Sequence, residues 1–381
     1  MPSILITLII AWIAVFLIAE KYRAKLEALG IEKFFFGFIL RTERGIPSIQ
    51  RTAQKFSRAL KLLATLSVIV SPLFIVFVFL NLGLGAAHIL KTPNAEAGMA
   101  PVIPGVEIPG SPVFLPLWQG VFALIIVIIA HELMHGLLSA AEGVKIKSVG
   151  LLTATLFPIG AFIEPDEEEL AKKPLLSRLR VYAAGSFGNF AAALIVFMFF
   201  IFVFKPIAFD EAGVRVISVS ENSPAQRAGI AAGDKILMIK GEKVASIEQF
   251  VAAARALKPG EEVLIETSRG TRSVALGEKE GRGYVGIAVE PAIAVSPPVE
   301  KMFGEEKVFW AGEALWWTIL LNFFIGLTNL LPMVPFDGGR MLQDVLDKHS
   351  PSLSKGVTAA VFLLVLSLIF INMSPIIRHI I

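Results

Sequence analysis

The stretch His131-Glu132-Leu133-Met134-His135 sets two imidazoles four residues apart, so in a helix both lie on one face with a carboxylate beside them. That spacing lets two histidines reach one zinc ion, and the glutamate can take a proton from a water activated there. The chemistry is hydrolysis of a polarised carbonyl. The chain holds five histidines and no cysteine, which excludes thiolate ligands, disulfides and cysteine nucleophiles. A third ligand must therefore be His, Asp or Glu. Asn329-Leu-Leu-Pro-Met-Val-Pro-Phe-Asp-Gly-Gly-Arg340 offers Asp337, where two prolines interrupt an apolar helix and a carboxylate follows. The competing carboxylates Glu164, Asp166, Glu167, Glu168 and Glu169 read more simply as a solvated linker. The plain alternative for the histidines is a buried pair satisfied by backbone carbonyls.

The elements that must carry these residues are unusually apolar. Of 381 residues 55% are hydrophobic and 18% charged, and the mean hydropathy of +0.71 excludes an ordinary soluble fold. Runs long enough to cross about 30 Å of hydrocarbon fall near 3–19, 62–83, 117–140, 181–205, 308–333 and 356–377. The fold class expected is a polytopic α-helical membrane protein with about six transmembrane helices and one small inserted α/β domain. The first run lacks a basic n-region and an obvious cleavage site, so it reads as a retained helix rather than a signal peptide. Nine basic residues from Lys21 to Arg58 follow it, whereas 84–116 holds only Lys91. The positive-inside rule then puts 20–60 in the cytoplasm and the N-terminus outside. Counting onward, the motif histidines and Asp337 both fall at cytoplasmic ends of spans, and 207–305 is external. Net charge is only +3 and the basic residues cluster in loops, so no nucleic-acid surface is supported.

Between 211 and 291 charges return, and short alternating runs (Val214 to Val219, Lys235 to Ile239, Glu262 to Thr267) flank a helical stretch, Ile247 to Leu257. The string Ser223-Pro-Ala-Gln-Arg-Ala-Gly-Ile-Ala-Ala-Gly-Asp-Lys-Ile-Leu-Met-Ile-Lys-Gly resembles the PDZ family over about twenty residues. That resemblance implies a circularly permuted domain in which Tyr284, Val285, Gly286 and Ile287 form the peptide-binding loop and strand facing helix 247–257. C-terminal peptide tails are then its ligands, and a domain kept as a plug or size filter is the alternative. The uncharged stretch 148–163, rich in Gly, Pro and Thr, is too short to span and reads as a re-entrant β-hairpin or loop. An edge strand there, around Thr155, could pair with an unfolded substrate strand. Residues 98–115, with four prolines, read as an external extended loop.

HExxH in one span, Gly185-Ser-Phe-Gly-Asn189 in the next and N-x-x-P-x-x-P-F-D-G-G in a third together resemble the core of the site-2 protease family over about 115–345. Phe336 stands where that family usually has Leu before the aspartate. The resemblance implies Zn2+ on His131, His135 and Asp337, Glu132 as general base, and Asn189 and Asn329 near the substrate backbone. A helix contact of the G-xxx-N kind is the other reading of Asn189. It also implies an enzyme of the cell membrane acting on transmembrane protein substrates in the lipid bilayer. The expected segments are 1–115 (first spans and loops), 116–206 (HExxH helix, re-entrant segment, GxxxN helix), 207–295 (PDZ), 296–345 (DG-motif helix) and 346–381 (last span). The rivals are a non-catalytic membrane PDZ scaffold, a zinc transporter, and an unrelated HExxH peptidase with a glutamate as third ligand.

Overall fold

The computed structural model describes residues 13–34, 37–92, 94–111, 113–154 and 157–380. Among them five helices are long and apolar enough to cross a membrane: Ser57–Lys91, Leu117–Ala141, Leu175–Ala208, Glu305–Asn329 and Pro351–Arg378. These are the second to sixth of the expected spans, and most of the expected first span, 3–19, lies outside the described residues. The chain divides into two compact units, Met1–Met198 with Glu313–Ile381, and Phe199–Gly312.

The helices that matter are α1 (Ile46–Lys55), α2 (Ser57–Lys91), α3 (Leu117–Ala141), the short α4 (Glu167–Ala171), α5 (Leu175–Phe199), α6 of the second unit (Ile247–Arg255), α7 (Glu305–Asn329), α8 (Asp337–His349) and α9 (Pro351–Ile380). The spanning helices have apolar residues all round, as lipid-facing helices must. Their packing is decided by small residues. Gly188 of α5 carries no Cβ where one would stand 2.4 Å from the Ala130 carbonyl oxygen and 2.6 Å from Met134 Cγ, so α5 lies hard against α3. Leu138, Val144, Leu170, Val181, Ala184 and Ala64 close a core at one end of this contact. Polar groups lock the same end. The Glu142 carboxylate, 5% exposed, accepts from Ser177 Oγ at 2.8 Å and Arg180 Nη1 at 3.0 Å, with Lys61 Nζ at 3.6 Å. Arg180 also donates to Thr65, so α2, α3 and α5 share one buried network, which is costly to break from either side.

The stretch 148–163 forms a hairpin of β3 (Ile146–Ala154) and β4 (Phe157–Pro165). The loop after the first span, read only as basic and cytoplasmic, contributes a second hairpin, β1 (Ile31–Phe34) and β2 (Gly37–Thr42). The two join into one antiparallel sheet ordered β1-β2-β3-β4, with β2 on β3 from Gly37↔Ala154 to Thr42↔Val149. The motive is backbone satisfaction: an isolated apolar hairpin would expose its β3 edge, and β2 covers it. Arg41 fixes the pairing, donating to Ser148 Oγ at 3.3 Å and to Glu164, with its guanidinium over the Phe162 ring.

Unit two carries β5 (Phe209–Val219), β6 (Lys235–Ile239), β7 (Glu242–Lys243), β8 (Glu262–Thr267), β9 (Gly270–Ala275), β10 (Gly277–Lys279), β11 (Arg282–Tyr284) and β12 (Ile287–Val295). The main sheet runs β12-β5-β6-β8-β9, with α6 beside it and a core of Val214, Val216, Ile236, Val263, Ile265 and Val274. This is the inserted α/β domain of PDZ type. Asp234, buried in the turn just before β6, accepts from Arg269, which holds its carboxyl below the usual carboxylate range.

Candidate metal centre

Each half of the site is aimed by a local device. On α3 the four-residue spacing brings His131 and His135 onto one face, with Nε2 atoms 3.1 Å apart. Asp337 is the first residue of α8, after the proline-broken segment that follows α7. Gly338 makes that turn feasible, since a Cβ there would fall 2.2 Å from the Leu330 carbonyl oxygen. Behind Asp337, α8 is tied to α5 by Arg178–Asp344 at 3.2 Å and to α4 by Arg340–Glu167 at 3.0 Å, while Arg340 lies over the Tyr182 ring. The acidic run 164–169 stays outside the donor cluster and largely solvated, as expected, but it is an ordered segment rather than a linker. Glu164 bonds Arg41, Asp166 caps α4, Glu167 holds α8, and Glu169 accepts from the Lys145 N–H.

Asp337 Oδ2 reaches His131 Nε2 at 3.5 Å and His135 Nε2 at 3.3 Å. The three atoms form a triangle whose edges match a tetrahedral ion with bonds of about 2.0–2.1 Å, for which ligand–ligand edges are about 3.3 Å. Among the described residues Oδ2 is buried with no hydrogen-bond partner, an expensive arrangement for a carboxylate unless a cation faces it. Space for that cation is kept by Gly185 on α5: a Cβ there would lie 2.3 Å from His135 Nε2 and 2.6 Å from His131 Nε2. The ring of His135 is oriented by backbone. Its Nδ1 stands 2.7 Å from the Val181 carbonyl oxygen, which can only accept, so Nδ1 carries the proton and Nε2 keeps its lone pair for a metal. Two imidazoles and a carboxylate with a fourth position open make a hydrolytic rather than a closed structural donor set. Zinc fits the donors and the spacing.

Glu132 is held from the other side. Its Oε2 accepts the Ile163 N–H of β4 at 3.0 Å. Gly136 permits the approach, because its missing Cβ would lie 2.7 Å from Ile163 Cδ1. The outer strand of the four-stranded sheet therefore runs directly beside the HExxH glutamate.

Of the remaining expected residues, Asn189 is wholly buried on α5 and faces the His131 ring. Asn329 ends α7, and its amide donates to the Ile325 carbonyl at 3.0 Å rather than to the donor cluster. Thr155 lies outside the described residues. In the second unit Tyr284 ends β11, Val285 and Gly286 form the following loop, and Ile287 begins the edge strand β12. The loop is fastened by its carbonyls, which accept from the Ala225 and Ser220 N–H groups, and the Gly283 N–H donates to the Leu257 carbonyl just beyond α6. Gly286 adopts φ +87°, and a Cβ there would meet Ser223 at 2.3 Å. Val181, Ile163 and Gly136 escape sequence reasoning. The first two act through backbone, which no residue type advertises, whereas a glycine directly after HExxH in an apolar helix was a visible signal.

Two imidazoles and a carboxylate within a bundle of apolar helices form a donor set of the kind a membrane metalloprotease needs. The chain belongs to peptidase family M50, which it matches over residues 119–373. An uncharacterized protein of Methanocaldococcus jannaschii is 30% identical over 342 residues, covering 88% of this chain and 83% of that one. Zinc metalloprotease RasP of Shouchella clausii is 24% identical over 230 residues, 48% of this chain and 54% of that protein. A membrane-bound transcription factor site-2 protease homolog of Arabidopsis thaliana is 29% identical over 135 residues, 35% of this chain and 26% of the relative. Among solved structures, the PDZ domain of the SdrC-like protein of Listeria monocytogenes is 30% identical, covering 20% of this chain and 86% of that chain, with a TM-score of 0.19.

Proposed function

We propose that this protein is an intramembrane zinc metalloprotease that hydrolyses peptide bonds within or near transmembrane segments of membrane proteins. Zinc is held by His131, His135 and Asp337, and Glu132 is the general base. Bound zinc supplies Lewis acidity for polarising the scissile carbonyl and activating water. Glu132 receives the proton of the attacking water and passes it to the leaving amine. His135 keeps its Nε2 directed at the metal through the Val181 carbonyl.

The observation that carries this reading is the Ile163–Glu132 hydrogen bond, which sets the outer edge of a sheet against the catalytic base. A helical substrate hides its carbonyls in i to i−4 bonds and must open into an extended strand to be cut. Along β4 the groups of Ile163 point outward, so those of Ala161, two residues back, share that edge. A strand added there would have its backbone satisfied while one carbonyl lies at the donor cluster.

The five segments 1–115, 116–206, 207–295, 296–345 and 346–381 divide this work. The inserted domain binds C-terminal peptide tails through Tyr284, Val285, Gly286 and Ile287, and Asn329 contributes to the substrate path. By its charge distribution the protein sits in the cell membrane with zinc toward the cytoplasm and residues 207–295 outside.

The test is incubation of purified protein with a panel of membrane-spanning substrates. Cleavage should disappear with a zinc chelator and return on adding zinc. Glu132→Gln should retain zinc and lose at least about a hundredfold in rate, the usual weight of a general base, whereas Asp337→Ala should retain zinc poorly. Cleavage by Glu132→Gln within tenfold of the parent would remove the glutamate from its role, and undiminished zinc in Asp337→Ala would move the third ligand elsewhere.

A further inference from the structure

One face of α5 presents Val181, Gly185 and Asn189, spaced by successive turns, to the two histidines of α3. Val181 orients His135 and Gly185 keeps the metal position open, as described above. Among the described residues the buried Nδ1 of His131 has no hydrogen-bond partner that meets the geometry of the Val181–His135 contact. One turn beyond Gly185, Asn189 is 0% exposed, and among the described residues neither Oδ1 nor Nδ2 of its amide has a partner either. Its side chain faces the His131 ring. Behind it stands Gly326 of α7, whose Cβ position lies 3.3 Å from Asn189 Cβ, so α7 closes the far side.

We infer that Asn189 is the positioning residue of His131: its side-chain carbonyl accepts the imidazole Nδ1–H, so that Nε2 carries the lone pair toward the metal. The buried imidazole donor and the buried amide oxygen, each unsatisfied alone, satisfy one another when paired. Both pay a desolvation cost when unpaired, and in the hydrocarbon no water relieves it. A metal-binding histidine almost always donates its other nitrogen to such an acceptor, which fixes tautomer and ring orientation. The Gly185 carbonyl also faces the ring and, like that of Val181, has a second lone pair beside its helical bond, but the Asn189 amide has no other partner among the described residues. The amide is the acceptor with nothing else to do. Asn189 on this view acts through His131 and not on the substrate, which differs from the role its family resemblance implied.

The inference rests on the zinc reading of the site, and the experiment separates the two. Zinc affinity of the purified full-length protein is measured by competition with a chromogenic chelator for the parent, Asn189→Leu and Asn189→Asp, alongside thermal melting of the zinc-free forms. Leu keeps the size and removes the acceptor; Asp keeps the acceptor. Asn189→Leu should bind zinc about 10–100-fold more weakly, the usual cost of losing such a partner. Asn189→Asp should bind at least as tightly as the parent, and every zinc-free form should remain folded. If Asn189→Leu does not fold, Asn189→Ala carries the same comparison. Parent-like zinc affinity in Asn189→Leu with a raised KM would make Asn189 a substrate contact and overturn the inference. Equal weakening by Leu and Asp would make it a packing residue and overturn it as well. A parent that binds no zinc would sink the metal reading itself.

Discussion

At position 185 a hydrogen atom stands where any other residue would put a carbon between the two imidazole Nε2 atoms, 2.3 and 2.6 Å away. Gly185→Ala is therefore expected to abolish metal binding, or weaken it more than tenfold, while leaving the helix intact. Ala is favoured over Gly in a helix interior by about 1 kcal/mol, so any loss arises at the site and not from the fold. Chelator competition and melting of the zinc-free protein would show both, and parent-like zinc affinity would mean the metal does not sit between the histidines. Three residues on, Gly188 makes the opposite case. Its missing Cβ would strike the Ala130 carbonyl of α3, so the same substitution there costs packing. The two glycines of GSFGN thus do different work, and the motif alone did not divide it.

Among the elements, the four-stranded sheet departs furthest from its sequence signal. Its second hairpin was legible as a short apolar stretch rich in Gly, Pro and Thr; its first, Ile31 to Thr42, was hidden among basic residues that spoke only of topology. Pairing joins segments more than a hundred residues apart, which local periodicity cannot report. If β4 is the strand that receives substrate, Ala161→Pro should depress cleavage of membrane substrates at least tenfold. It removes an outward donor and fixes φ, while Ile163 and its bond to Glu132 remain. Zinc content should be unchanged. In parallel, substrate helices carrying Gly or Pro near the cut should be processed faster than Leu-filled ones, since each Gly weakens a helix by about 1 kcal/mol and Pro by about 3. A silent Ala161→Pro, with equal cleavage of both kinds of helix, would exclude strand addition at this edge.

For the molecule as a whole, the charge asymmetry of the loops is the argument for orientation, with nine basic residues between Lys21 and Arg58 against Lys91 alone in 84–116. The chain has no cysteine, so single cysteines can be introduced without background. In intact cells a membrane-impermeant thiol reagent should label a cysteine at Ser246 in the inserted domain and spare one at Ser177 near the start of α5. The reverse pattern would invert the topology and place the zinc site at the outer side.

What the sequence determined by itself was whatever follows from residue type at short range. Four-residue spacing makes His131 and His135 share a helix face, long apolar runs require spans, and alternation with turns requires a separate domain at 211–291. Asp337 was also legible, because prolines in an apolar run oblige the helix to end and a carboxylate beyond them needs a reason. The tertiary structure alone decided which backbone groups serve the site. The Val181 carbonyl on His135 and the Ile163 N–H on Glu132 come from groups that every residue carries, so their selection depends on where α5 and β4 pass. That passage is set by close packing at Gly188 and Gly136 and by sheet pairing across distant segments. These are long-range contacts of common atoms, and a one-dimensional pattern holds no mark of them.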